Sequence, residues 1–561
     1  MKVSFSSSLK FLPTIIFAIF AFSVLPDNAA AFQFQYKEIS GFVDSTISSG
    51  TSLRLEERDP RFIGRANGGT AYSVNGDDGD RNFSKGTLIS STNKMTHDIG
   101  ASYQNFSTFV RMSYFYDPVN RYKKELTPYQ RDLSGRGFNL LDAYIEGKFK
   151  PIGKDLNVRV GKQVLNWGES TFIPGGLSVI NAINIADLRR PGSEIREAFV
   201  PTPMISDSLQ LTNKLSLSNF YLFKYDRSKS DVCGTFFSTS DSTCEGGNGY
   251  LTSGYGLYPE GTPSLIIARV PDKEPSNSGQ YGAAVRYLSE ELNNSEFGFY
   301  FINHHSRVGV GSAIASTPGK LPSFRVEYPE NLQVLGFTAS TDFAGLALQG
   351  EYTYRPDYPF QIETTEVFAA AQYFPSAQVS AATAPGDIIK GWHEMPVNQL
   401  QGTVTKAFGR ENPFFADEWI VSTEAAMIYI SHFPEKNDLR FEAPGTDLAA
   451  YNGLSSPELQ KSGWADRFSW GYVIGSSWTY NQVLKNIDLI PRFAFSHNVN
   501  GTTPAPLSQF VKERLSFNLS LTALYSQAWS VDLSYTNYCG ASFRNSFQDR
   551  DFASVTVKHW F

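Results

Sequence analysis

Leu515-Ser516-Phe517-Asn518-Leu519-Ser520-Leu521-Thr522, followed shortly by Val531-Asp532-Leu533-Ser534-Tyr535-Thr536, alternates apolar and polar residues without a slip. Successive side chains of a strand point to opposite faces, so each run carries an apolar stripe on one face and a polar stripe on the other. Together they read as a hairpin. The apolar stripe needs a partner. A bilayer supplies one, provided that the sheet closes and leaves no unpaired edge in hydrocarbon.

The same pattern recurs along the chain. An opening strand over 41–56 is followed by hairpins at 87–103 with 106–117, 139–149 with 156–165, and 206–211 with 215–225. Further hairpins follow at 280–288 with 297–305, 332–341 with 346–355, 399–408 with 419–432, 468–480 with 487–499, and 515–525 with 529–538. A closing strand spans 552–561. The expectation is an all-β transmembrane antiparallel barrel of about eighteen strands, with sixteen the other count the pattern allows. Tight turns fall at one end and long connections at the other, an asymmetry that soluble sandwiches and propellers do not predict.

Composition agrees. The 561 residues are 41% hydrophobic with mean hydropathy −0.26, as in a soluble protein, yet 14% are aromatic, with 44 Phe and 28 Tyr. Alternation hides a lipid face from hydropathy averaging, and aromatics gather at membrane interfaces. At the start, Lys2 and Lys10 bracket the approach to an apolar run over 11–25, and Ala29-Ala30-Ala31 supplies small residues. This predicts a signal peptide over 1–31 and one barrel domain over 32–561, located in the outer membrane of a Gram-negative bacterium with its lipid as surroundings. Net charge −6, a pI near 5.8 and no basic run exclude nucleic acid as an expected partner.

By alternation, Arg111, Arg159, Asp488, Arg492, Asn518 and Asp532 face the lumen, giving an interior of mixed charge. Four connections are long enough to fill it: 166–201, 226–278, 356–396 and 433–467. The first is the candidate plug. Asn166, Trp167, Glu169, Arg189, Arg190, Glu194, Arg196 and Glu197 are its candidates for lining a path or pinning the loop. The bland readings are an interface-girdle role for Trp167 and an ion pair for Glu169. Asn184 is placed to cap a short helix running to Arg190 and stopped by Pro191. The second connection reads as a surface lid stapled by a disulfide between Cys233 and Cys244. Cys539 is left over.

No chemistry-bearing constellation appears. Asn75-Gly76-Asp77-Asp78-Gly79-Asp80 has oxygen donors but no distal Glu, and reads as a solvated turn rather than a calcium loop. His304 and His305 point to opposite faces, so neither a metal site nor a cofactor is expected. His305-Ser306 and Ser496-His497 have the wrong parity for a catalytic pair and no G-x-S-x-G elbow is present, so the protein is not expected to be an enzyme.

Several stretches resemble the fingerprint of the proteobacterial outer-membrane barrel family catalogued as domain of unknown function 1302. They include Asn166-Trp167-Gly168-Glu169-Ser170-Thr171-Phe172-Ile173-Pro174-Gly175-Gly176, Leu188-Arg189-Arg190-Pro191-Gly192-Ser193-Glu194, Asn75-Gly76-Asp77-Asp78-Gly79, Gly350-Glu351-Tyr352-Thr353-Tyr354-Arg355-Pro356, Leu439-Arg440-Phe441-Glu442-Ala443-Pro444-Gly445-Thr446, Ser469-Trp470-Gly471-Tyr472 and Asp549-Arg550-Asp551-Phe552. Ser496-His497-Asn498-Val499-Asn500-Gly501 also matches, with Asn498 where the usual motif has Asp. The resemblance implies a barrel working beside a periplasmic companion and an inner-membrane exporter system, and handling alkanes, sterols or other lipid-like compounds. It implies no catalytic residue. A terminal Phe561 closing an alternating strand resembles the signal read by the outer-membrane barrel assembly machinery. The leading expectation is a plugged barrel that takes up or passes a hydrophobic compound; a porin-like channel for small polar solutes and a structural or adhesion barrel are the alternatives.

Overall fold

The computed structural model of the protein describes residues 32–446, 450–451, 454–455 and 464–561. The signal peptide read over 1–31 and part of the connection over 433–467 lie outside them. Among the described residues, eighteen strands form one closed wall, and a short nineteenth, Phe32–Tyr36, pairs antiparallel with the start of the first of them. In chain order they are β1 Ile39–Arg54, β2 Leu88–Tyr103, β3 Phe106–Tyr116, β4 Arg136–Phe149, β5 Leu156–Gln163, β6 Thr202–Thr212, β7 Leu215–Leu222, β8 Tyr281–Ser289 and β9 Ser295–His304. The second half comprises β10 Leu332–Phe343, β11 Leu346–Gln361, β12 Trp392–Phe408, β13 Glu418–Ile430, β14 Phe468–Leu484, β15 Ile487–Asn500, β16 Leu515–Tyr525, β17 Trp529–Cys539 and β18 Phe552–Trp560. Every expected strand is present, several longer than the alternation alone suggested.

Each strand pairs antiparallel with its sequence neighbours, and β18 closes onto β1 with Thr556 opposite Gly50. Phe561 finishes that seam. Its amide donates to the Ser45 carbonyl at 2.9 Å, and its carbonyl accepts from the Ser45 amide at 2.7 Å. Closure satisfies the backbone that hydrocarbon would otherwise leave unpaired. The outward set is apolar and exposed, as Phe299, Leu335, Met427, Leu519, Leu521 and Leu533 illustrate. Short turns such as 104–105, 213–214, 344–345 and 485–486 gather at one end, and the long connections alternate with them at the other.

The lumen differs from its expected mixed-charge character, because it is divided. From β6 to β10 the inward side chains include Met204, Phe220, Leu222, Ala284, Tyr300, Ile302 and Val334, all buried in one apolar cluster. On β11 to β13, Phe360, Met395, Val397, Ala426, Ile428 and Ile430 belong to a second. The other arc carries charges paired along the wall, whereas the charges buried on β11 and β13, Glu351, Arg355 and Glu424, are turned to the connection between β5 and β6. Arg111 donates to Asp98 at 2.7 Å and lies 3.5 Å from Asp142, while Arg159 meets Glu146 at 2.9 Å. Arg492 donates to Thr522, which donates to Asp532, and Asn518 donates to Thr536. Asp488 sits at the short-turn end instead, its carboxylate taken by the Gln482 amide and Gln527.

Candidate functional site

Between Gln163 and Thr202 the chain leaves the wall and crosses the lumen, touching inward residues on both arcs. Its first half is held by its backbone. Glu351 on β11 accepts from the Glu169 amide at 2.8 Å and from the Leu177 amide at 2.7 Å. Glu424 on β13 accepts from the amides of Thr171 and Ile173, each at 3.1 Å, and from that of Phe172. Arg355 donates to the Gly176 carbonyl at 2.9 Å, and Gln399 accepts from the Gly176 amide at 3.1 Å. A carboxylate accepting from several amides makes charge-assisted bonds, stronger than neutral ones, in a setting with little water to replace them. Gly176 has φ +61°, and a Cβ there would lie 1.7 Å from Glu351 Oε1. Only glycine lets the loop approach its clamp this closely.

Trp167 is 3% exposed and packs inside the barrel against Phe220 and Tyr300, with ring centroids 5.0 and 5.9 Å away. That corrects the girdle reading: its neighbours are the apolar lumen wall, not lipid. Leu177 and Ile180 join the same cluster. Glu169 makes no ion pair among the described residues; its carboxylate accepts from Gln349 at 3.2 Å. Asn166 is exposed and folds back on its own loop through Ser178 and the Gly168 amide.

The second half is held by side chains. Asn184 caps a short helix, Ile185–Leu188, by accepting from the Asp187 amide. Arg190 pairs with Asp187 at 3.1 Å and lies 3.3 Å above the ring of Phe115. Glu197 is salt-bridged to Lys94 on β2 and accepts from Thr96 at 3.3 Å. Lys94 also donates to the Gly192 carbonyl at 3.1 Å. Arg196 bridges Glu194 at 2.6 Å and reaches Asp98 at 3.5 Å, while Arg189 is salt-bridged to Asp231 of the disulfide connection.

Other connections complete the filling. Cys233 and Cys244 are disulfide-bonded with Cα atoms 5.3 Å apart. Their loop is more than a surface lid: Phe236 is buried against Phe83 and Phe237, and its carbonyl accepts from Arg550 at 2.5 Å. Arg550 and Arg54 both bridge Asp80 at 3.1 Å, which ties the first, disulfide-bearing and last long connections together. The turn Asn75–Asp80 is therefore not solvated, since Asp77 is 1% and Asp80 0% exposed. The β11–β12 connection contributes helix Thr364–Ala371 to the second apolar cluster. A hairpin of Val310–Ile314 with Ser323–Glu327, in a connection not singled out from sequence, extends through Ile388–Ile389.

Arg111, Arg159, Arg492 and Asp532 make their contacts with neighbouring strands of the wall, and the anchors of the loop are instead Glu351, Glu424 and Arg355, which sequence reasoning missed. Parity could have found them: an acid among Ser422-Thr423-Glu424-Ala425-Ala426 sits on the inward stripe. What they hold, a backbone far along the chain, has no signature in side-chain type.

The fold defines a transmembrane β-barrel of the outer-membrane kind, with the connection between β5 and β6 bonded to residues of β2, β11 and β13. The chain belongs to the family described as protein of unknown function (DUF1302), whose model matches residues 12–561. No curated protein matches the sequence. Among solved structures, Acinetobacter baumannii OccAB1 is similar at 10% identity and TM-score 0.44, covering 96% of this chain and 99% of that one. Pseudomonas aeruginosa OccK2 (OpdF), solved in complex with glucuronate, is similar at 9% and 0.40, covering 93% and 98%. The outer membrane channel DcaP of A. baumannii is similar at 9% and 0.35, covering 94% and 99%.

Proposed function

We propose that the protein is an outer-membrane channel whose plugged lumen takes up or passes a hydrophobic, lipid-like compound of the alkane, sterol or fatty-acid type, exchanged with a periplasmic companion. The observation that carries the reading is the apolar arc. Inward residues of a water-filled pore are polar, whereas here Phe220, Leu222, Ile302 and Val334 present a continuous apolar face to the plug. Shifting the first half of the plug away from that arc would open an apolar seam beside the charged one.

The test is binding of a fluorescent long-chain fatty acid to the detergent-purified protein. Saturable binding that Ile302→Asp abolishes, with the barrel still heat-modifiable on gels, is the expected result. Absence of saturable binding overturns the substrate class. The charged arc around Arg111, Arg159 and Arg492 favours a second reading, a channel for small polar solutes. Steady conductance of the intact protein in planar bilayers would establish that reading in place of the first.

A further inference from the structure

One carboxylate cluster is used by neither the wall nor the plug. Asp77 and Asp78 come from the β1–β2 connection and Asp241 from the disulfide loop, and one carboxylate oxygen of each lies within 4.8 Å of the other two. Asp241 is 3% exposed, and neither of its carboxylate oxygens has a hydrogen-bond partner. Its backbone is fixed all the same. The amide donates to the Asn75 carbonyl at 2.9 Å, and the carbonyl accepts from the Asn248 amide at 3.0 Å.

The neighbours do not relieve the charge. Asp77 commits one oxygen to the Gly64 amide and Asn67, each at 2.8 Å, and turns the other toward Arg81 at 3.5 Å. Arg81, 3.1 Å from Asp78, is the one cation paired with the cluster among the described residues. Glu260, hydrogen-bonded to Asn248, adds a fourth acid; burial, then the charges of Asp78 and Asp77, push its carboxyl up to about 7. Carboxylates this close and this buried cannot all stay ionised without a cation or a proton among them. The two segments are also pressed together: a Cβ on Gly76 would lie 2.5 Å from the Thr239 carbonyl oxygen.

We propose that Asp77, Asp78 and Asp241 bind a calcium ion that clips the first long connection to the disulfide loop. The donor set is all oxygen, as a hard cation requires. Asp78, its side chain 32% exposed, leaves a path by which calcium and its remaining waters enter. The same loop carries Asp231, the partner of Arg189, so the ion fastens an outer clasp onto the plug.

Equilibrium dialysis of the full-length protein in neutral detergent against calcium chloride tests the site. One saturable site is expected in the unmodified protein, absent in Asp241→Asn. Asparagine removes the buried charge, so that variant keeps its barrel. Independently of any variant, 1 mM calcium should slow proteolytic cleavage within 226–278 by about tenfold relative to chelator, the open fraction falling as one plus ligand over a dissociation constant of about 10⁻⁴ M. Absence of saturable uptake up to 5 mM, or uptake by Asp241→Asn equal to that of the unmodified protein, overturns the proposal in favour of a shared proton.

Discussion

The two halves of the plug are anchored by different chemistry. From Glu169 to Leu177 the wall holds amides, with Glu351 and Glu424 serving as acceptors for the backbone, and that clamp requires the glycine at 176. From Asp187 to Glu197 the plug holds the wall through its own charges, chiefly Glu197 with Lys94 and Arg196 with Asp98. A backbone anchor cannot be replaced by an apolar pair of similar shape, because the amides remain when the carboxylate is gone. A side-chain ion pair can. The first half packs Trp167, Leu177 and Ile180 on the apolar arc and is anchored by the few charges buried there, whereas the second half meets the arc whose charges pair along the wall.

The largest effect is expected from Trp167→Ala, which empties a packed site in the first half at a cost of about 3–5 kcal/mol. Hydrogen exchange of the peptide over 165–180 should show its protection lost while the wall stays protected. Glu424→Ala strands three amides and should cost about 3 kcal/mol, accelerating exchange at Thr171 to Ile173 about a hundredfold. If those amides exchange as before, the backbone clamp is not what holds the first half. In the second half, Lys94→Met leaves Glu197 buried and unpaired and should cost about 3 kcal/mol, whereas Lys94→Met with Glu197→Gln should recover most of it. A double variant as weak as the single one would erase the contrast between the halves.

The smallest effect is on the outer clasp behind Arg189. The Glu260 carboxyl rises from its ordinary 4.5 to about 7 on folding, facing Asp77, Asp78 and Arg81. A raised acid favours the folded loop while it is protonated. Without calcium, protease resistance of 226–278 should therefore be full below about pH 4.5 and decline as pH rises through about 7. No change across that window would remove Glu260 from the clasp.

The wall was legible because a period of two is written in single residues: Leu515 to Thr522 states its own orientation. The second half of the plug was legible for a related reason, since charges such as Glu197 and Arg196 announce that they need partners. Its cap, Asn184, was visible too. The first half was recognisable only as a motif. Its function as a clamped backbone depends on Glu351 and Glu424, more than 170 residues away along the chain. The division of the lumen was hidden similarly, because Phe220, Ile302 and Val334 form one surface only after four strands are laid side by side. Asp241 meets Asp77 only once the disulfide loop has folded over the first connection.

The central claim is that the segment between β5 and β6 fills the lumen rather than decorating the surface. Planar-bilayer conductance of the protein with residues 175–192 deleted, beside the intact chain, tests it most directly. The intact protein should remain closed and the shortened one should conduct steadily. Equal conductance from the two would contradict the account.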